Sequence, residues 1–215
     1  MPKFFISPNY PHEKLENPSY SDLMDVFEDR IRHWVLEPAR KLLADENGDI
    51  ASACLLIGYF EGMEIYFSGQ DSVSHSKEFF RRGFQRVFAV PPTDLPLYDA
   101  VVDGLYGQAR CGFAHDGLFR YRIFFSRARP EPIYITWPKK NGVNDPDGKL
   151  ESAAINTPLL YDRISRHFSN YVASLRAGTD AMLKENFLAA VDLKWGLNEP
   201  GPVIGATESQ FFNGT

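Results

Sequence analysis

Arg110 and His115, five positions apart in LYGQARCGFAHDG, are the two residues whose types and spacing fit one chemistry best. A guanidinium stays charged and grips phosphate oxygens with a fixed fork, while an imidazole exchanges its proton near neutral pH. Such a pair can hold a phosphodiester and move a proton to or from a hydroxyl beside it. Cys111, four residues before His115, offers a second reading as a thiol nucleophile with its base, although a small Cys is also an ordinary packing residue. The plain alternative is an exposed Arg and a helix-terminal His⁺ that contributes about 0.3 to 1 kcal/mol against the helix dipole.

The element that must position these residues is a long amphipathic helix capped at Thr93 or Asp94 and stopped at Gly117. Leu95, Tyr98, Val102, Leu105, Ala109 and Phe113 form its apolar stripe. Opposite runs a seam of small side chains, Ala100, Gly104, Gly107, Cys111 and Ala114. Each interior Gly costs about 0.5 to 1 kcal/mol relative to Ala, so close approach of a second backbone or a ligand is expected there. Arg110 and His115 sit on the two shoulders of the seam, about 140° apart in an ideal helix. A two-fold partner packed along the seam, or a turn loosened at Gly112, would bring the two functions together.

Upstream, residues 1–18 read as an arm on or off the body, and a helix from Ser21 runs past a kink at Pro38. A second helix, capped by Asp49 and ending near Gly69, carries Glu61 and Glu64 off its apolar stripe. These glutamates are either solvent-facing or poised to orient Arg110 or His115. A third, about Ser74 to Phe88, carries Lys77, Arg81, Arg82 and Arg86, read as a solvated face or as a guide for an RNA backbone. Tyr106 is able to stack on a base or simply to pack.

After Gly117 the pattern turns aromatic and β-branched, and residues 119–137 predict a β-hairpin, followed by a loop from Pro138 to Lys149. Thr157-Pro158 has the N-cap and N1 signature of a further helix, and Gly178-Thr179-Asp180 breaks it before a last segment through Trp195. Residues 19–195 form one mainly α domain, and 196–215 a loose tail.

A net charge of -5 excludes a protein that coats nucleic acid by bulk electrostatics, so any RNA contact must be local. The two cysteines, Cys54 and Cys111, fall inside helical patterns and point to a reducing, cytoplasmic setting. The apolar run from Ala51 to Phe60 is too short to cross a bilayer, and no membrane contact is expected. His12, His33, His75 and His167 lack metal-ligand spacing with one another or with the cysteines, so neither a metal nor another cofactor is expected.

Residues 105–117 resemble the motif of the HEPN (higher eukaryotes and prokaryotes nucleotide-binding) family, an Arg followed four to six residues later by His near the end of a long helix. The resemblance covers roughly residues 20–117, including an acidic residue on the second helix, Glu61 or Glu64. It implies an antiparallel helical bundle with a small β-hairpin insertion after the fourth helix. It also implies a homodimeric, metal-independent endoribonuclease for single-stranded RNA, toxin-like in setting, with an antitoxin or regulatory protein as a further partner. In that reading Arg110 holds the phosphate, and His115 moves protons for in-line attack by a 2'-hydroxyl. Cys111 stands where the family often has a polar Asn, Asp or His, and Gly117 where one subgroup has Tyr. The first departure also admits an inactive RNA- or nucleotide-binding module, or an interaction domain that only dimerises.

Overall fold

The computed structural model describes residues 5–89, 95–145, 147–197 and 209. Its body is helical: α1 (Tyr20–Arg30), α2 (Glu37–Leu42), α3 (Asp49–Ile57), α4 (Tyr59–Ser68), α5 (Ser76–Val87), α6 (Leu95–Leu105), α7 (Thr157–Ala177) and α8 (Ala181–Trp195). A π-wound stretch, Ile31–Leu36, joins α1 to α2, and Pro38 lies in the first turn of α2, where its missing N–H costs nothing. α1 begins in a capping box in which Ser19 and Asp22 satisfy each other's backbone N–H groups. Gly69, Gly117 and Gly178 end α4, the helix that extends α6, and α7 in left-handed conformations.

The N-terminal arm lies on the body. Its strands β1 (Phe5–Ser7) and β2 (Tyr10–Pro11) form a short ribbon against α1. Both Asn9 N and Nδ2 donate to the Asp29 carboxylate, and Arg30 Nε donates to Ile6 O. The caps predicted at Thr93 and Asp94 fall outside the described residues, as does most of the C-terminal tail.

Two expectations need correction. Asn156, not Thr157, caps α7, since its side chain accepts from Leu159 N while its amide donates to the carbonyls of Arg127 and Arg129. The predicted hairpin is also absent as such, because β3 (Ile123–Phe125) and β4 (Ile133–Thr136) do not pair. β7 (Ser152–Ile155) lies between them, parallel to β3 and antiparallel to β4. Its sequence, Ser-Ala-Ala-Ile, has little strand preference, yet small side chains suit a central strand whose Ala153 and Ile155 are fully buried. Within the predicted loop, β5 (Lys139–Lys140) and β6 (Val143–Asn144) form a minimal hairpin, and Asn141 and Gly142 supply the two positive φ angles of its turn.

The core is aromatic. Phe27, Phe60, Phe80, Phe168 and Phe187 are among its buried members, and Phe60 packs edge-on against Phe80. Taken together, Asp49–Ser68 is long and apolar enough by length and composition to cross a membrane, with 56% of its most apolar window buried inside the protein. It is nevertheless divided at Gly58 into α3 and α4, and it carries two buried glutamates. α4 and α5 pack closest at Gly83, where an added Cβ would come within 1.9 Å of the Phe60 carbonyl oxygen. Neither backbone can yield without disturbing both helices. Gly83→Ala should therefore destabilise the fold by about 3 kcal/mol, at the upper end of overpacking costs, read as a fall in the urea midpoint.

Candidate functional site

α4 presents two carboxylates one turn apart toward the interior, and guanidinium groups from two other elements close on them. Glu61 is 8% exposed and Glu64 only 1%. The reason is packing: α5 lies along α4, so this face of α4 is covered rather than wet. Glu64 pairs with Arg86 Nε at 2.5 Å and Arg82 Nε at 3.2 Å. The two arginines also lie over the rings of Phe67 and Phe79. On the other side of α5, Lys77 and Arg81 both bind the Asp103 carboxylate of α6. The four cations read as a guide for RNA are thus engaged in ion pairs within the chain, and they act first as clamps between α4, α5 and α6. Glu61 and Glu64 are likewise not solvent-facing.

Glu61 Oε2 meets Arg110 Nη2 at 2.7 Å. Arg110 comes from a helix that has changed its winding. Past Leu105 the chain continues through π-wound Tyr106–Arg110 and Gly112–Asp116, in which the Cys111 N–H bonds to Tyr106 O. A π turn bonds residue i to i+5, so five residues approach one turn instead of about 1.4 α-helical turns. Arg110 nevertheless turns to Glu61 while His115 faces solvent. π-bulges cost hydrogen-bond geometry and recur at functional sites.

The Arg110 guanidinium lies 5.7 Å from the Tyr106 ring centre, and that ring packs edge-on against Phe80. Burial raises the Tyr106 hydroxyl above its ordinary pKa, with a hydrogen bond to Cys111 as the next cause. Tyr106 is therefore a packed support for Arg110 more than an open stacking platform. His115 is exposed and forms no hydrogen bond or ion pair among the described residues. Phe113, expected inward, is 38% exposed. Beyond Gly117 the chain folds back, with Arg120 N donating to Gln108 O, so the segment covers Gly112 and leaves Phe113 stacked on Phe119.

No protein family, characterised protein or solved structure matches this chain. Its chemistry must be argued from the side chains themselves. Arg110 spends one nitrogen on Glu61, which leaves donors of its fork for a phosphate. Among the described residues no group of three or more His, Cys, Asp or Glu is arranged to hold a metal ion.

The small-residue seam is divided in two. At Gly104 an added Cβ would meet Leu150 Cβ at 2.7 Å, so the protein's own chain covers the seam there. At Gly107 a Cβ would meet nothing within 4 Å, and Ala114 is exposed. Only the half from Gly107 through Cys111 to Ala114 is open to a partner.

One polar pair escaped the sequence reading. Tyr59 OH and His167 Nδ1 lie 2.8 Å apart between α4 and α7. The only sequence signal was His167 next to Phe168 on the apolar side of α7. Burial, helped by the nearby Arg86 charge, pushes the imidazole down to about 4. The unfolded chain takes up this proton near pH 6.5, so folding loses stability as pH falls from 6.5 toward 4, and the loss levels off below that. The half-buried ring should account for about 1 to 2 kcal/mol of this fall. His167→Gln should flatten that part of the stability profile in denaturant titrations at successive pH values.

The two glycines of the seam also separate by experiment. Gly104→Leu should destabilise the single chain by about 1 to 3 kcal/mol through its clash with Leu150. Gly107→Leu should leave the melting temperature nearly unchanged and alter only the mass of any assembly measured by light scattering.

Proposed function

We propose that the chain is a HEPN-type, metal-independent endoribonuclease that cleaves single-stranded RNA at the junction of two copies. The observation that carries the reading is the pair formed by Glu61 on α4 and Arg110 on the π-wound helix end. The buried carboxylate holds the guanidinium by charge, at one nitrogen and without a hydrogen bond accepted at that oxygen, which leaves the rest of the fork for a phosphate. The π winding between Arg110 and His115, a feature that recurs at functional sites, supports the same reading. So does the open half-seam at Gly107, beside which a second copy would complete the site.

In this proposal a phosphodiester docks on the free N–H groups of Arg110. His115 of one copy or the other takes the proton of the 2'-hydroxyl, or returns one to the departing 5'-oxygen. In-line attack forms the new P–O bond as the old one breaks, giving a 2',3'-cyclic phosphate and a 5'-hydroxyl.

A second reading, an RNA-binding module without turnover, draws on one observation. His115 has no group that orients it among the described residues, and catalytic bases are usually held by a third side chain. The second copy must supply that group if the chain is an enzyme.

Purified protein incubated with single-stranded RNA in excess EDTA separates the readings. The enzyme predicts cyclic-phosphate products, and Arg110→Ala and His115→Ala should each lower the rate by about 100-fold or more. RNA binding without products would favour the module, and cleavage that survives both substitutions would remove Arg110 and His115 from the chemistry.

A further inference from the structure

The covered half of the seam borders a cleft. Between α6 and the strands that follow it lies a cavity of about 580 Å³, floored by Ala100 and Gly104 and walled by Trp137, Gly148 and Leu150. Small-molecule and cofactor sites typically run from about 300 to 1,000 Å³. The walls are closed by particular residues: Trp137 is 7% exposed, and Trp137 Nε1 donates to Asp145 O. An added Cβ at Gly148 would lie 2.4 Å from Pro138, so the loop holds its shape there by having no side chain.

Three charged residues line the cavity. Asp103 is already neutralised by Lys77 and Arg81, whereas neither Arg122 nor Lys149 has a carboxylate partner among the described residues. Arg122 Nη1 donates instead to the backbone oxygens of Leu150 and Glu151. That contrasts with α5, whose cations are all paired. It also matches the wider composition, since residues 119–150 hold seven Lys and Arg against three Asp and Glu in a chain of net charge -5. Tyr121, 79% exposed, stands at the same mouth, and Gln108 lines the cavity with a carboxamide oxygen that has no hydrogen-bond partner.

We infer that this cavity receives one nucleotide, its base seated over the small-residue floor beside Tyr121 and its phosphate held by Arg122 and Lys149. An open-sided cleft with an aromatic at its edge suits a flat heterocycle, and Gln108 offers a group that would turn to its polar edge. Two unpaired cations at the entrance suit a phosphate. The identification as a nucleotide, among phosphorylated ring compounds, rests on the ribonuclease reading. Gly104 and Arg110 are six residues apart on one continuous helix, and the proposal places the nucleotide in the cavity next to the one clamped by Arg110. The cavity then sets base preference beside the cut.

The test is calorimetric titration of the full chain with a hexameric single-stranded RNA and, separately, with AMP and CMP, for the parent and for Tyr121→Ala, Arg122→Gln and Lys149→Gln. These side chains are exposed or half-exposed, and unchanged circular dichroism spectra would establish that the variants fold. The expected result is binding by the parent of at least one probe, weakened about tenfold or more by each substitution. Mononucleotide binding with this sensitivity would indicate a free nucleotide as ligand, and oligonucleotide binding alone a nucleotide within RNA. No binding of any probe by the parent, or binding that all three variants retain, would overturn the inference. Cleavage of RNA unaffected by the three substitutions would remove the cavity and leave the ribonuclease reading standing. Binding lost in the variants of a parent that never cleaves would do the reverse.

Discussion

Two carboxylates on one buried face of α4 impose the order of everything packed against them. A carboxylate removed from water carries a desolvation penalty of several kcal/mol, and the fold is stable only where cations come to meet it. Glu64 receives Arg82 and Arg86 from α5, and Glu61 receives Arg110 from the helix end beyond α6. Because both sit within one turn of α4, that single turn fixes the rotation of α5 and the approach of the π-wound segment together. Removing one member of such a pair leaves an uncompensated charge, which is worse than never having had the pair. The arrangement therefore favours specificity of packing over raw stability. It also explains why the most basic helix in the sequence is not a free basic surface.

The same constraint bears on what the α6 face can do. Asp103 holds Lys77 and Arg81, so α6 is tied to α5 on one side while its small residues turn toward the strands on the other. Leu150 fits against Gly104 because no side chain is there, and one turn later Gly107 faces open space. A seam that is uniform in sequence thus performs two different tasks. One half admits the chain's own loop closely enough to wall a cavity, and the other remains for an external surface.

Much of this was legible before any coordinates. Helical periodicity located α1, α4, α5 and α6, and glycines at positions 69, 117 and 178 announced left-handed stops, since each reads directly from local steric preference. The mainly α class followed. Strand order was not legible, because pairing between β3 and β7 depends on contacts thirty residues apart and Ser-Ala-Ala-Ile carries almost no strand signal. The need for Gly83 was not legible either, since only the Phe60 carbonyl beneath it shows why nothing larger is admitted. The π winding was equally hidden. An ideal 100° projection placed Phe113 inward, and that deduction failed with the assumption of regular winding.

Charge gives the last step. An acidic chain repels a polyanion at long range, so contact with RNA needs a place where positive charge is neither diluted nor consumed. Counting arginines along the sequence selects α5, whereas following each cation to its partner removes α5 and selects the rim formed by Arg122 and Lys149. Arg110 is intermediate, paired with Glu61 yet only partly enclosed. A phosphate approaching it must share the guanidinium with a carboxylate, so binding there is weaker than at an unpaired cation but better defined in geometry. In the proposed ribonuclease a division of labour would follow from that difference, with affinity where cations lack a carboxylate and orientation where one is already held.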